Sequence, residues 1–326
     1  MAERITVVDH PKAALAMDPR LAPEVFPDDV VERLRRVVHF DPVARTDLDG
    51  IADVEILLTG WSCPRIDADV LDRARRLRAV IHAAGTVKGH IGPEVFARGV
   101  TVSAASEANA RPVAEFTVAA MVLAAKRAFL HARRYTRAEP EMSALPHEDS
   151  GLVGQTVGIV GASRVGRMVL ERLAPFDVRV LVSDPYLDRR AAGRLGAELV
   201  DLDDLFRRAD MVSLHAPRLP ETDRLVDARR LALLRDGAVV INTARGSLVD
   251  TDALTRGCGT GRISAVLDVT DPEPLPPSHP LLGMPHVFVT PHIAGSRGRE
   301  LRRMGEFAVA EVERLVRGEP LRGLVR

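Results

Sequence analysis

The 326 residues are 46% apolar and carry 45 basic against 45 acidic side chains, enough to build two domains with their own cores and no excess charge to offer a polyanion. A single small module is excluded and a nucleic-acid partner is disfavoured. Two cysteines, Cys63 and Cys258, lie far apart without metal-ligand or redox spacing, which predicts a reducing, cytoplasmic setting, no disulfide framework and no metal site.

In chain order, the first residues run directly into a strand pattern at 5–8 with no apolar signal-peptide core. Further short apolar strands are predicted at 37–40, 55–59, 79–83 and 100–103, with helices at 27–36, 68–77 and 93–98. Strands separated by helices imply a parallel sheet covered on both faces. The Ala-, Val-, Leu- and Met-rich stretch 107–134 predicts one long, mostly buried helix, of the kind that joins two domains or pairs with its own copy. Its longest apolar run, 117–125, is about half of the roughly 18 residues that a spanning helix needs, so no membrane partner is expected. A loop rich in Pro, Glu and Ser follows at 138–151.

From Thr156 a second alternation begins, with strands predicted near 157–160, 178–183, 211–215, 238–242, 263–268 and 287–290. The first of these opens the stretch Val157-Gly158-Ile159-Val160-Gly161-Ala162-Ser163-Arg164-Val165-Gly166, which reads as strand, tight turn and helix start. Glycines let a backbone approach a pyrophosphate, and the N–H groups at the helix start then hold its charge. Ser163 stands where the fingerprint has its second glycine, and its hydroxyl is expected to bond the pyrophosphate. The next strand ends at Asp184, an acidic residue at the offset of about 20 residues that suits the adenosine ribose hydroxyls and repels a 2′-phosphate. NAD is the expected cofactor, and the six strands match a doubled mononucleotide-binding pattern. The helix predicted over 299–316 can return to the first domain and make it discontinuous, with the active site expected in a cleft between domains.

Reducing a keto acid by hydride transfer requires a cation for the carboxylate and carbonyl, an acid for the new alkoxide, and a neighbour that keeps this acid protonated. Three residues placed just after predicted strands supply one of each: Arg245, Glu273 and His292. Singly, each has an ordinary explanation, as a loop arginine, a charge in a proline-rich turn, and a ring satisfied by backbone after Pro291. Together, at three strand ends of one dinucleotide-binding sheet, they indicate chemistry.

At these residues the sequence resembles the NAD-dependent D-2-hydroxyacid dehydrogenase family, over nearly the whole chain. The resemblance rests on Asn242-Thr243-Ala244-Arg245-Gly246-Ser247-Leu248-Val249-Asp250, on Leu267-Asp268-Val269 with Glu273-Pro274-Leu275-Pro276, on His279-Pro280-Leu281, and on Thr290-Pro291-His292-Ile293-Ala294-Gly295. Weaker matches are 109–115 and His215-Ala216-Pro217. It implies that Arg245, Glu273 and His292 are the catalytic arginine, glutamate and histidine, that Asp268 contacts the nicotinamide amide, and that Arg164, Val165 and Asp184 contact pyrophosphate and ribose. The matched cofactor segments add Gly161, Ser163, Gly166, Ala216, Pro217, Thr243, Ala244 and Gly295, and the substrate segments add Gly85, Thr86 and Asn109 beside Arg245.

The resemblance further implies a flavodoxin-like, discontinuous substrate domain, 1–104 completed by 297–326, and a Rossmann domain, 105–296. A homodimer built on the long helix is also implied, acting on a small 2-keto or D-2-hydroxy acid. Two further positions depart from the family: Ala84-Gly85-Thr86-Val87-Lys88 stands where a second glycine and an aspartate are usual, and Phe116 where histidine is frequent. The rival reading is an NAD(H)-sensing binding protein similar to co-repressors on this fold. A formate dehydrogenase, which resembles the family with glutamine at the triad glutamate, is disfavoured by Glu273. A phosphoglycerate dehydrogenase with a regulatory tail is not expected from a chain ending at Arg326.

Overall fold

The computed structural model describes residues 10–136 and 150–325. The strand expected at 5–8 and residues 138–149 of the expected loop lie outside the described residues. The chain divides into two compact units, Met1–Asn109 with Ser296–Arg326, and Ala110–Gly295.

In the first unit, strands β1 (Lys12–Ala16), β2 (His39–Arg45), β3 (Ile56–Thr59), β4 (Ala79–His82) and β5 (Thr101–Ala104) form a parallel sheet in the order β2-β1-β3-β4-β5. This is the flavodoxin-like order. Because side chains alternate across a strand, Ile56 and Leu58 enter one core with Val30, Leu34, Met304 and Val312, while Leu57 enters the other with Val70, Leu71 and Val95. The helices Asp28–Arg35 and Leu301–Val316 therefore cover one face and Ala68–Arg73 and Pro93–Ala97 the other. Lys12–Ala16 was not among the predicted strands: Lys-Ala-Ala-Leu-Ala has helical propensity, which pairing on both sides with β2 and β3 overrides. The helix expected to reach 77 stops at Arg73, where Ala74 leaves helical geometry at ψ 58°.

In the second unit, β6 (Thr156–Val160), β7 (Arg179–Ser183), β8 (Glu198–Leu199), β9 (Met211–Leu214), β10 (Val239–Asn242), β11 (Ser264–Leu267) and β12 (Val287–Val289) form a parallel sheet ordered β12-β11-β10-β9-β6-β7-β8. It is the Rossmann order with one more strand at the end, and the α/β fold class read from the sequence is borne out. Val157 and Ile159 face the helices Ser106–Ala125 and Arg164–Leu173 through Met121, Leu170 and Leu173. Val160, Val212 and Val240 face Leu205, Phe206 and Leu254 on the other side. Each such large apolar side chain contributes about 1.5–3 kcal/mol on burial.

The single helix expected over 107–134 is two helices, Ser106–Ala125 and Ala128–Thr136, separated by Arg127 at φ +52°. At the break the Ala125 carbonyl accepts the Gly151 N–H at 2.8 Å, a partner from outside the helix. Phe116 is half-buried against the apolar core beside this helix, which accounts for an aromatic packing residue at that position. Among the described residues no helix is long and apolar enough to cross a membrane.

Candidate active site

The chain runs outward from β6 to β7 and β8, then returns to the other side of β6 with β9, so a crevice opens beyond the ends of β6 and β9. Val160 and Leu214 are in register, which sets Gly161 against His215 and Ala216. At φ +95°, and with a side chain there reaching within 2.7 Å of the Ala216 nitrogen, position 161 admits only glycine. Gly166 is likewise pressed on its neighbour, since a Cβ would lie 2.1 Å from the Gly161 carbonyl oxygen. Ser163 has φ −62° and ψ 179°, ordinary extended backbone, which is why a serine fits where a glycine was expected. Its Oγ accepts the Gly166 N–H at 3.3 Å and caps the helix Arg164–Leu173, so this hydroxyl already has a structural task.

Asp184 lies at the end of β7, and both carboxylate oxygens are engaged: Oδ2 accepts the Ala162 N–H at 2.7 Å and Oδ1 the Tyr186 N–H at 2.8 Å. The carboxylate thus ties the strand end to the glycine turn. Gly161, Ser163, Asp184, Ala216 and Pro217 line one cavity of about 1250 Å³. A turn of closely pressed glycines, a helix start and a carboxylate around one cavity fit a dinucleotide. Thr243, Ala244, Asp268 and Gly295 do not line this cavity. Behind the turn, His215 is buried, with Nε2 2.9 Å from the Ser213 hydroxyl, and burial pushes it down to about 3.

The other predicted residues sit at the ends of β10, β11 and β12. Asn242 is in register with Leu267, and Leu267 with Val289, so the three strands end level and their following loops meet. Asn242 is buried and folds back on its own turn: its Oδ1 accepts the Ala244 N–H at 3.1 Å and its Nδ2 donates to the Arg245 carbonyl at 2.8 Å. Arg245 is exposed beyond it. Glu273 projects from the proline-rich loop, which Leu275 anchors in the apolar core.

His292 Nδ1 lies 2.6 Å from Glu273 Oε1, both side chains about half exposed. An ionised carboxylate can only accept, so Nδ1 carries the hydrogen and Nε2 is the nitrogen left to meet a reactant. The histidine has φ +53°, a left-handed conformation that costs a non-glycine residue about 1 kcal/mol. It is held there by Asp268, whose carbonyl accepts the His292 N–H at 2.9 Å. The Asp268 carboxylate, only 1% exposed, accepts the Thr290 hydroxyl at 2.6 Å and the N–H groups of Ile293 and Ala294 at 2.8 and 2.9 Å. The residue expected to meet the nicotinamide amide is therefore occupied with the histidine loop. The grouping presents a cation, an oriented imidazole and its carboxylate at one sheet edge, and it can bind an anion and move a proton at Nε2.

In the first unit, Gly85 and Asn109 come together. A Cβ at Gly85 would fall 2.6 Å from Asn109 Nδ2, the Ser106 hydroxyl donates to the Gly85 carbonyl at 2.6 Å, and Asn109 Oδ1 accepts the Ser296 N–H at 3.1 Å. Thr86 is exposed on the same loop, its Oγ1 accepting the Lys88 N–H at 3.2 Å. Sequence reasoning missed Asn242, Thr290 and Thr117 as supporting residues. An Asn closing a strand was a readable turn signal, whereas nothing near Thr117 marked it.

Residues 119–294 match the family described as D-isomer specific 2-hydroxyacid dehydrogenase, NAD binding domain. The chain is 36% identical over 312 residues to glyoxylate reductase of Thermofilum pendens, covering 92% of this chain and 91% of that one. It is 36% identical over 273 residues to D-3-phosphoglycerate dehydrogenase of Mycobacterium bovis, covering 83% of this chain and 51% of the relative. The chain thus spans about half the length of the phosphoglycerate dehydrogenases it matches. A solved structure from Thermus thermophilus aligns with a TM-score of 0.77 at 31% identity, over 96% of this chain and 100% of that one. D-mandelate dehydrogenase of Rhodotorula graminis, at 22% identity and a TM-score of 0.81 over 97% and 98% of the two chains, shares the fold. The family resemblance is borne out: the chain belongs to the D-isomer specific 2-hydroxyacid dehydrogenase family, and residues 119–294 are its NAD-binding domain.

Proposed function

We propose that this protein is an NAD-dependent oxidoreductase that interconverts a small 2-keto acid and its D-2-hydroxy acid. The observation that carries the reading is the 2.6 Å pairing of His292 with Glu273 on the sheet edge that also bears Arg245. When bound, the dinucleotide supplies or takes the hydride. Arg245 grips the substrate carboxylate and polarises its carbonyl. His292 gives a proton from Nε2 to the oxygen that becomes the hydroxyl, and Glu273 orients the ring and balances the imidazolium charge. Gly161, Ser163, Arg164, Val165, Gly166, Ala216 and Pro217 hold the pyrophosphate side, with Asp184 at the ribose. Thr243, Ala244, Asp268 and Gly295 are cofactor residues on the nicotinamide side, Asp268 with its second role on the histidine loop. Gly85 and Thr86, in the substrate domain that we take as 1–104 with 297–326, and Asn109, in the cofactor domain that we take as 105–296, are the further substrate residues.

We also propose a homodimer through the two helices within 106–136, a reading supported by the exposed Leu123 and Tyr135 along them. A cytoplasmic setting is supported by Cys63 and Cys258, two free cysteines without disulfide or metal-ligand spacing. Zero net charge speaks against a nucleic-acid partner. The test is a panel of 2-keto acids of increasing size, beginning with glyoxylate, followed by NADH and NADPH absorbance. Turnover with NADH that is lost in His292→Gln is expected. NADH binding without turnover of any keto acid overturns the reading in favour of an NAD(H)-sensing protein.

A further inference from the structure

Arg245 is exposed, and its guanidinium donates to the carbonyl of its own neighbour, Ala244, at 2.5 Å. Its placement is therefore inherited from the backbone of the turn after β10. One side of that turn is closed by the Asn242 side chain. The other side reaches a residue 126 positions earlier: Thr243 Oγ1 lies 2.8 Å from Thr117 Oγ1, both buried. Thr117 is 0% exposed in the middle of the helix Ser106–Ala125, whose Ala120, Met121 and Ala124 are packed in the same core as Ile159 and Ile241. The tether thus runs from a fixed helix to the turn that carries the arginine.

The direction of the bond follows from counting hydrogens. Thr117 Oγ1 is also 2.7 Å from the Val113 carbonyl, one helical turn back. A carbonyl only accepts and a hydroxyl has one hydrogen, so Thr117 donates to Val113 and accepts from Thr243. The Thr243 hydrogen points into the helix, and its side chain is locked in one rotamer. Losing this acceptor would leave a buried hydroxyl unpaired, which the turn can relieve only by moving.

We propose that Thr117 is a positioning residue for the reaction, acting through Thr243 to fix the turn that presents Arg245. The inference rests on the proposed dehydrogenase reading. Thr117→Val keeps the shape and removes the acceptor, whereas Thr117→Ser keeps the hydroxyl. For Thr117→Val the expected result is a roughly ten-fold lower kcat/KM for the keto acid, the scale of one lost buried hydrogen bond. NADH Kd by fluorescence should shift as well, because Thr243 and Ala244 of the same turn are proposed cofactor residues, but less than kcat/KM, and Thr117→Ser should keep kcat/KM near wild type. Because the effect passes through the arginine, Thr117→Val should add little in an Arg245→Lys background, since a residue acting through another is not additive with it. Should Thr117→Val fail to fold, Thr243→Val removes the same bond from the other end and must show the same non-additivity. Wild-type kinetics in the valine variant, or full additivity with Arg245→Lys, overturns the inference alone. A wild-type protein that turns over no keto acid overturns the dehydrogenase reading and this inference with it.

Discussion

Asp268 and Thr290 directly follow adjacent strands and are joined by a 2.6 Å bond from the threonine hydroxyl to the aspartate carboxylate. With the N–H groups of Ile293 and Ala294 on the same carboxylate, the bond closes a loop that holds His292 at φ +53°. In Asp268→Asn one acceptor oxygen becomes a donor facing N–H or O–H groups. The loop should then shift, and kcat should fall roughly ten- to hundred-fold, the equivalent of about 1–3 kcal/mol. Thr290→Val, which removes one of the three donors, should cost less. Steady-state kinetics on both variants checks this. An unchanged kcat in Asp268→Asn would mean that the histidine is held by its Glu273 partner and the residue-268 carbonyl, without the carboxylate.

The Ser163 hydroxyl caps a helix whose start faces the dinucleotide cavity. Ser163→Ala should lower stability by about 1 kcal/mol and Ser163→Gly by only a few tenths, the usual ranking at a capping position. Chemical denaturation of the three proteins measures it. If alanine and glycine are equally costly, the hydroxyl is held by something other than the Gly166 N–H.

Burial holds His82 down at about 4, helped by the nearby His90, and His215 at about 3, against an ordinary value of 6.5. The unfolded chain therefore takes up protons near pH 6.5 that the folded chain refuses until about pH 4 or below. Stability from this source is fully present above about 6.5 and declines as the pH falls, by up to about 1.4 kcal/mol per unit for each histidine. His82 Nδ1 lies 2.9 Å from the buried Thr59 hydroxyl, so His82→Asn is the conservative probe. Its urea midpoint should depend less steeply on pH between 6.5 and 4 than that of wild type. Parallel curves would show that the ring has room to accept its proton.

Glu311 is 1% exposed, and it accepts the Ser103 hydroxyl at 2.5 Å and the N–H groups of Arg322 and Gly323 at 3.1 and 2.9 Å. It pins the last described residues along β5, where Ala104 N–H donates to Gly323 O at 2.9 Å and Val325 N–H to Val102 O at 2.8 Å. Glu311→Ala strands three donors and should cost about 3 kcal/mol or more. Hydrogen exchange of residues 101–104 and of 322–325 should accelerate in the variant. If only the second set accelerates, the edge strand is secured without this segment.

What could be read in the sequence was what chemistry writes locally. Ile56-Leu57-Leu58-Thr59 reads as a buried strand because a short continuous apolar run suits a doubly covered sheet, and Arg245, Glu273 and His292 stand out because polar groups placed after apolar strands of a dinucleotide-binding sheet are positioned for use. What could not be read depended on partners far away in the chain. No Gly or Pro marks the break at Arg127, and the N–H that meets the last carbonyl of the first helix comes from Gly151, distant in sequence. Lys12–Ala16 became a strand through its neighbours on both sides. The second role of Asp268 and the tether from Thr117 to Thr243 exist only once separate strands and a helix are side by side. β8, two residues long, is too short to leave a periodic trace.

The first unit is written in two pieces, with Ala110–Gly295 between them. Met304, Ala308, Val309 and Val312 of the later piece are 0% exposed in the same core as Val25 and Leu34 of the earlier one. During synthesis that core lacks one of its walls until the later helix has emerged, while the intervening unit has every strand of its own sheet available sooner. Domains tend to fold as units as they emerge, so the order of assembly is inverted with respect to the order of translation: the portion made first is completed last. Its apolar sheet face, covered until then only by the earlier piece's own residues around Asp28–Arg35, waits half-covered until Leu301–Val316 emerges.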